Sequence, residues 1–119
     1  MQDRVEGYIC FYTDNIADEF VSIDDARYMV LDQILSILKS GVLGHPRNLL
    51  GIIDERGNSL QFFVHPDGSI ELNLSVPEEF GSYTRQVEQT ECYALLREGY
   101  RYIETMPVGE VEFSGWWVE

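Results

Sequence analysis

Three short apolar runs separated by two glycine-containing turns lie at the centre of the chain, over residues 48–77. The third run has the strictest pattern, because apolar side chains at every second position of residues 70–76 alternate with polar ones. A strand has a side-chain period of two, so this pattern predicts one buried and one solvent-facing side. Gly57 and Gly68 lie in the turns, and Gly68 is placed to supply the positive φ of a tight hairpin. The sequence therefore predicts a three-stranded antiparallel meander.

Segments on both sides of the meander supply the remaining predicted elements. Residues 5–13 alternate as a strand does, with aromatic and β-branched side chains on both faces. Behind Ser22, which resembles the N-cap of a capping box, apolar side chains recur at helical spacing as far as Ser40. The later elements are a possible fourth meander strand over residues 82–88, a second helix over 90–105 and a last strand over 108–119. The predicted fold is α+β, an antiparallel β-meander of about 4-5 strands covered by two helices.

Size and composition predict a single domain over residues 1–119, since a chain of this length can bury a core without metal or disulfide support. No run of apolar residues is long enough to cross a membrane, and the N-terminus has no signal-peptide pattern, so the expected location is the cytoplasm. Cys10 and Cys92 lie in separate segments without a C-x-x-C partner. They are expected to be buried free thiols; a disulfide is disfavoured in a reducing compartment.

The charge balance bears on the class of partner. Acidic residues number 21 against 8 basic ones, and the formal net charge is −13. Such a field repels nucleic-acid phosphates, so no nucleic-acid binding is expected. It favours a basic protein partner reached by electrostatic steering. Solubility alone explains the acidity equally well.

Motifs that carry chemistry are absent from the sequence. His45 and His65 both precede a proline, a position typical of loops and turns, and neither has a second ligand at metal-binding spacing. There is no glycine-rich phosphate loop and no nucleophile elbow. A pair between His65 and Asp67 is conceivable, but a turn is the favoured interpretation of that segment. The sequence therefore predicts no catalytic residue, no cofactor and no metal site.

Large aromatic side chains are numerous for an acidic domain, with seven tyrosines and two tryptophans. Tyrosine and tryptophan are enriched at the energetic centres of protein interfaces. They also complete small hydrophobic cores, and one of Trp116 and Trp117 is expected to do so. Aromatic rings interleaved with carboxylates favour a surface that binds a basic protein.

Several stretches resemble a family of bacterial immunity proteins from polymorphic toxin systems, the Imm-one family, which is often paired with deaminase-type toxins. The resemblance lies in the glycine-turned meander, in the stretch from Val87 to Arg97, in Pro107 after the second helix, and in the ending over residues 116–119. It could cover roughly residues 20 to 119. It implies a non-catalytic antitoxin that binds a cognate toxin domain, a basic protein, and caps its active site.

The partner-binding positions follow from charge and expected exposure, since no family motif fixes them. They are Asp54, Glu55, Asp67, Glu71, Glu78, Glu79, Tyr83 and Trp117. Two other function classes remain open. An acidic mimic of DNA that inhibits a DNA-binding defence enzyme would carry its carboxylates in a continuous stripe. A small ligand-binding adaptor domain would have a deep pocket that holds His65 or a carboxylate pair.

Overall fold

A computed structural model of the protein describes residues 4–116. Within that range, eight strands form one antiparallel sheet and two α-helices pack on one of its faces. The strands are β1 (Gly7–Asp14), β2 (Glu19–Val21), β3 (Arg27–Val30), β4 (Leu49–Ile53), β5 (Ser59–Val64), β6 (Ile70–Val76), β7 (Gly81–Val87) and β8 (Glu112–Gly115). The helices are α1 (Leu31–Lys39) and α2 (Gln89–Arg97). The strand order is β2-β1-β4-β5-β6-β7-β8, and β3 also pairs with β1.

The predicted central meander is present as β4, β5 and β6, and β7 continues it as the fourth strand. Gly57 and Gly68 both have positive φ, as tight hairpin turns require. The prediction of a sheet of about 4-5 strands is nevertheless wrong, because the described residues form eight strands in one sheet. The two strands that were not predicted, β2 and β3, are short pieces that both pair with β1 at one end of the sheet.

The segment predicted as the first half of helix 1 is instead extended. Residues 27–30 form β3, which pairs with residues 7–10 of β1, and α1 begins only at Leu31. Ser22 precedes a short 3-10 helix, Ile23–Asp25, and caps no α-helix. Pairing with β1 supplies four residue partners that a solvated first helical turn lacks, so the long-range contact overrides the local capping signal. Together β2 and β3 form one interrupted strand along β1.

The second helix is shorter than predicted and ends at Arg97. Gly99 takes a left-handed conformation with φ 66°, and its N–H donates to the Leu96 carbonyl at 3.1 Å. A glycine in this conformation two residues beyond a helix ends it by satisfying a terminal carbonyl. The Gly99 carbonyl then accepts a 2.7 Å hydrogen bond from the N–H of Val5, so the turn joins α2 to the start of the chain.

The helices and one face of the sheet enclose a single hydrophobic core. This covered face takes every second residue of each strand, and its fully buried members include Leu50, Leu60, Phe62 and Leu72. The helices contribute buried side chains such as Ile34 and Leu96. Cys10 and Cys92 are buried free thiols, as predicted, and burial raises the pKa of each to about 12. The opposite face, called the open face here, has no described helix packed on it.

Candidate functional site

Three cross-strand rows organise the open face, since paired residues of neighbouring antiparallel strands point to the same side of a sheet. The first row consists of Phe20, Thr13, Leu49, Phe63, Glu71 and Gln86. The second consists of Phe11, Gly51, Gln61, Asn73, Thr84 and Glu112. The third consists of Tyr28, Ile9, Ile53, Ser59, Ser75, Ser82 and Ser114. Side chains are mainly apolar where each row begins and polar where it ends, so the open face has two chemically different halves.

The polar half contains an open depression of about 500 Å³, called the acidic depression here. Its polar lining includes His65, Glu71, Thr84, Gln86, Glu110 and Glu112. Three of the lining side chains are carboxylates, Glu71 from β6, Glu110 from the segment before β8 and Glu112 from β8 itself, and the lining also includes one base, Arg85 of β7. The depression has the charge to receive lysine or arginine side chains of a partner.

Arg85 fixes the segment that brings two of these carboxylates to the sheet. Its Nε donates to the Val108 carbonyl at 2.5 Å, and its Nη2 contacts the Glu91 carboxylate at 2.5 Å. The hydrogen bond from Arg85 holds the pKa of the Glu91 carboxyl below its usual value. One guanidinium therefore ties β7 to α2 and to the chain just before Glu110. These contacts hold the segment that carries Glu110 and leads to Glu112 beside β7, the strand next to the one that carries Glu71.

His65 closes one end of the depression. Its Nε2 lies 2.9 Å from Oε1 of Glu71, and its ring meets the Phe63 ring edge-on with centroids 5.1 Å apart. The His65–Asp67 pair considered from sequence is not formed, because Asp67 instead accepts hydrogen bonds from Ser69. His65 is thus oriented by a neighbouring strand and belongs to the open face.

The apolar half carries a group of large side chains called the apolar patch here. It consists of Ile9, Phe20, Tyr28 and Val30 on the open face of β1, β2 and β3, and Phe11 of the same face is buried at 4% exposed. Phe20 is 71% exposed, Tyr28 56% and Val30 49%. Exposed apolar side chains are ordinary when scattered, but a contiguous group on one face is typical of a binding surface.

Two of the predicted partner-binding residues lie at the β4–β5 turn and have structural partners instead. Asp54 is buried, and its carboxylate accepts backbone hydrogen bonds from Arg56, Asn58 and Ile103 at 2.8–3.0 Å. The exposure on which its assignment to the binding surface depended is therefore not found, because the carboxylate is buried with three backbone donors. Glu55 is exposed but pairs with Arg101 at 2.7 Å, and this hydrogen bond lowers its pKa.

The remaining predicted positions do not form one surface. Asp67 holds the β5–β6 turn, where the Ser69 hydroxyl and N–H lower its pKa. Glu78 and Glu79 are exposed in the 3-10 helix Pro77–Glu79, between β6 and β7. Tyr83 lies on the covered face, because it pairs with Leu74, and its hydrogen bond to Glu79 raises the pKa of the Tyr83 hydroxyl. Trp117 lies outside the described residues. Of the seven positions within residues 4–116, only Glu71 lines the acidic depression.

Sequence reasoning missed two carboxylates and two rings on the open face. Glu110 and Glu112 alternate with Val111 and Phe113, a pattern that predicts a strand but not its neighbour. The pairing of Thr84 with Glu112 brings them to the depression that Glu71 also lines, with β7 between the two strands. Phe20 lay in a segment with no clear pattern, and Tyr28 was assigned to a helix. No local signal was available for Tyr28, because residues 27–30 do not alternate between polar and apolar side chains and are extended through their pairing with β1.

Among residues 4–116, no three or more His, Cys, Asp or Glu side chains are grouped to hold a metal ion. No helix in the described part of the chain is long and apolar enough to cross a membrane. Comparison with protein-family models, curated proteins and solved structures finds no match for this chain. The functional argument therefore depends on the geometry of the open face and on the charge of the chain.

Proposed function

We propose that the chain is a non-catalytic immunity protein that acts in the cytoplasm and neutralises a toxin that acts on nucleic acid, such as a deaminase. In this proposal it binds the toxin's basic substrate site with its open face and excludes the nucleic acid. The single observation that carries the proposal is the acidic depression, where Glu71, Glu110 and Glu112 converge on a sheet face without a covering helix. The resemblance to the Imm-one family supports the same conclusion.

Charge explains why such a surface would suit this partner. A nucleic-acid enzyme needs a basic groove for phosphates, and a domain of net charge −13 is attracted to that groove over the Debye length. Attraction of this kind raises the association rate and weakens with added salt. An inhibitor of a toxin benefits because it must reach the toxin before the substrate does.

The two alternatives have different geometric requirements. A DNA mimic needs a continuous stripe of carboxylates, but the described rows of the open face contain only Glu71 and Glu112, separated by neutral side chains. A ligand-binding adaptor needs a pocket with His65, and the acidic depression includes that residue. A small cationic ligand is therefore the second candidate for this site.

The test is capture of partners from the host lysate, followed by inhibition of the captured protein after recombinant purification. The expected result is a basic protein whose activity on nucleic acid is lost at one equivalent of the chain and recovers as salt is raised. Inhibition should be competitive with nucleic acid. A chain that binds no basic protein, or binds one without affecting its activity, would contradict the proposal.

Paired variants test the role of the acidic depression. Glu71→Gln with Glu112→Gln removes two charges from the depression, and Asp32→Asn with Glu98→Gln removes two from helix α1 and the end of α2. The first pair should lower the association rate and the salt dependence of binding much more than the second. Equal effects would mean that net charge alone attracts the partner.

A further inference from the structure

We infer that the apolar patch and the acidic depression form one binding surface for the basic toxin, with Phe20 and Tyr28 as its apolar anchors. This inference rests on the proposed function and names the surface and the side chains that would bind the toxin. It assigns a role to aromatic residues that the charge argument leaves unused.

The distance between the two halves fits a single interface. The first cross-strand row runs from Phe20 to Gln86 without interruption. Its five strand-to-strand steps of ~4.8 Å span about 24 Å. A standard interface covers ~800 Å² per partner, which corresponds to a patch roughly 30 Å across. One partner of ordinary size therefore covers both the apolar patch and the acidic depression.

Two glycines position aromatic rings of the open face before binding. The Phe11 ring lies over Gly51, where an added Cβ would be 2.2 Å from the ring's Cζ. The Tyr28 ring lies over Gly7, where an added Cβ would be 2.8 Å from the ring's Cζ. The end of the Tyr28 ring is held against the neighbouring backbone, so this side chain has less rotamer freedom to lose on binding. Rigid aromatic anchors of this kind cost less entropy on binding and are frequent hot spots.

The charge around the patch determines the chemistry of its occupant. Asp18 and Glu19 directly precede Phe20, and Asp24 and Asp25 lie in the turn between β2 and β3, all exposed. The one base of this segment, Arg27, lies on the covered face because it pairs with Cys10. A second copy of the chain would bring like charges together across the patch. A basic partner with apolar side chains is complementary to it.

The experiment measures binding of the captured toxin, purified as an inactive recombinant domain, to single variants of the whole chain. Phe20→Ala and Tyr28→Ala should each weaken binding at least ~30-fold, mainly through faster dissociation, with the salt dependence unchanged. Phe113→Ala is the matched control, because Phe113 is 51% exposed but points to the covered face beside Tyr83. It should bind within about twofold of the unmodified chain, as interface-distant residues do.

The remaining outcomes of this experiment separate failure of the inference from failure of the proposed function. Wild-type binding by Phe20→Ala and Tyr28→Ala, with weakened binding by the Glu71→Gln and Glu112→Gln pair, would overturn the inference and leave the proposed function intact. Loss of toxin binding in the Phe113→Ala control as well would also overturn it. Sedimentation of the isolated chain tests self-association. A dimer that Phe20→Ala dissociates would assign the patch to a second copy and overturn the inference.

Discussion

The two faces of the sheet are built from the same strands but have opposite relations to solvent. On the covered face, Leu50, Phe62 and Leu72 of three adjacent strands are fully buried under the helices. On the open face, the same strands carry the row of Leu49, Phe63 and Glu71, and all three are partly exposed. Stability is thus concentrated on one side, which leaves the side chains of the other free to be selected for binding.

The largest expected effect on stability comes from Phe62→Ala on the covered face. The Phe62 side chain is fully buried at the centre of the sheet, so the substitution loses its burial and leaves a cavity. We expect the free energy of unfolding to fall by about 3–5 kcal/mol, measured by urea denaturation. A loss below about 1 kcal/mol would mean that the core refills the space.

The next effect comes from the β4–β5 turn, which joins the sheet to the 3-10 helix Ile103–Thr105. Asp54→Ala leaves three backbone donors without their acceptor and should destabilise the chain by about 2–3 kcal/mol. Asp54→Asn keeps one acceptor oxygen and should cost less. Hydrogen exchange at the Ile103 amide locates the change. An unaltered exchange rate at that amide would contradict the assigned hydrogen bond.

A substitution on the open face is expected to change the free energy of unfolding much less. Phe20→Ala removes a side chain that is 71% exposed, so the free energy of unfolding should change by less than about 0.5 kcal/mol. The same urea denaturation as for Phe62→Ala measures it. A loss comparable with that of Phe62→Ala would show that both faces share the stabilising role.

The smallest effect concerns the exposed ion pair of Glu55 with Arg101, at the margin of the two faces. Arg101 lowers the pKa of Glu55 in the folded chain, so the pair stabilises the fold above the ordinary carboxyl pKa of 4.5. That contribution is lost as the pH falls through the lowered pKa. Glu55→Gln should therefore reduce the stability difference between neutral and acidic pH, and its unfolding at the most acidic pH should match that of the unmodified chain.

An element of this fold can be predicted from the sequence when the pattern that determines it lies within the element itself. The register of β5 and β6 follows from strict alternation, because each side chain there is buried or exposed by parity alone. The extended conformation of residues 27–30 was not predicted, because it is stabilised by pairing with β1 and not by a pattern within the segment. The direction of the Tyr83 side chain, which was expected to bind a partner, could not be predicted for a similar reason. Its segment has little alternation, so only its pairing with Leu74 fixes its direction.

The acidic depression illustrates the same limit. Glu71 was found from the sequence because its own strand reveals its face, whereas Glu112 reaches the depression only through the pairing of β8 with β7. The Arg85 contacts that hold the intervening segment join residues of three different elements. When a site is assembled by pairing between distant segments, the sequence can indicate its individual residues but not that they come together.

The interruption between β2 and β3 has a consequence for the chain at high concentration. A continuous edge strand offers its unpaired backbone groups as a template on which further chains add and grow into fibres. Residues 22–26 break this edge with a 3-10 turn, and Asp24 and Asp25 place two exposed charges there. The edge therefore presents only two short ladders, of three and four residues. This interruption therefore works against the addition of further chains at this edge of the sheet.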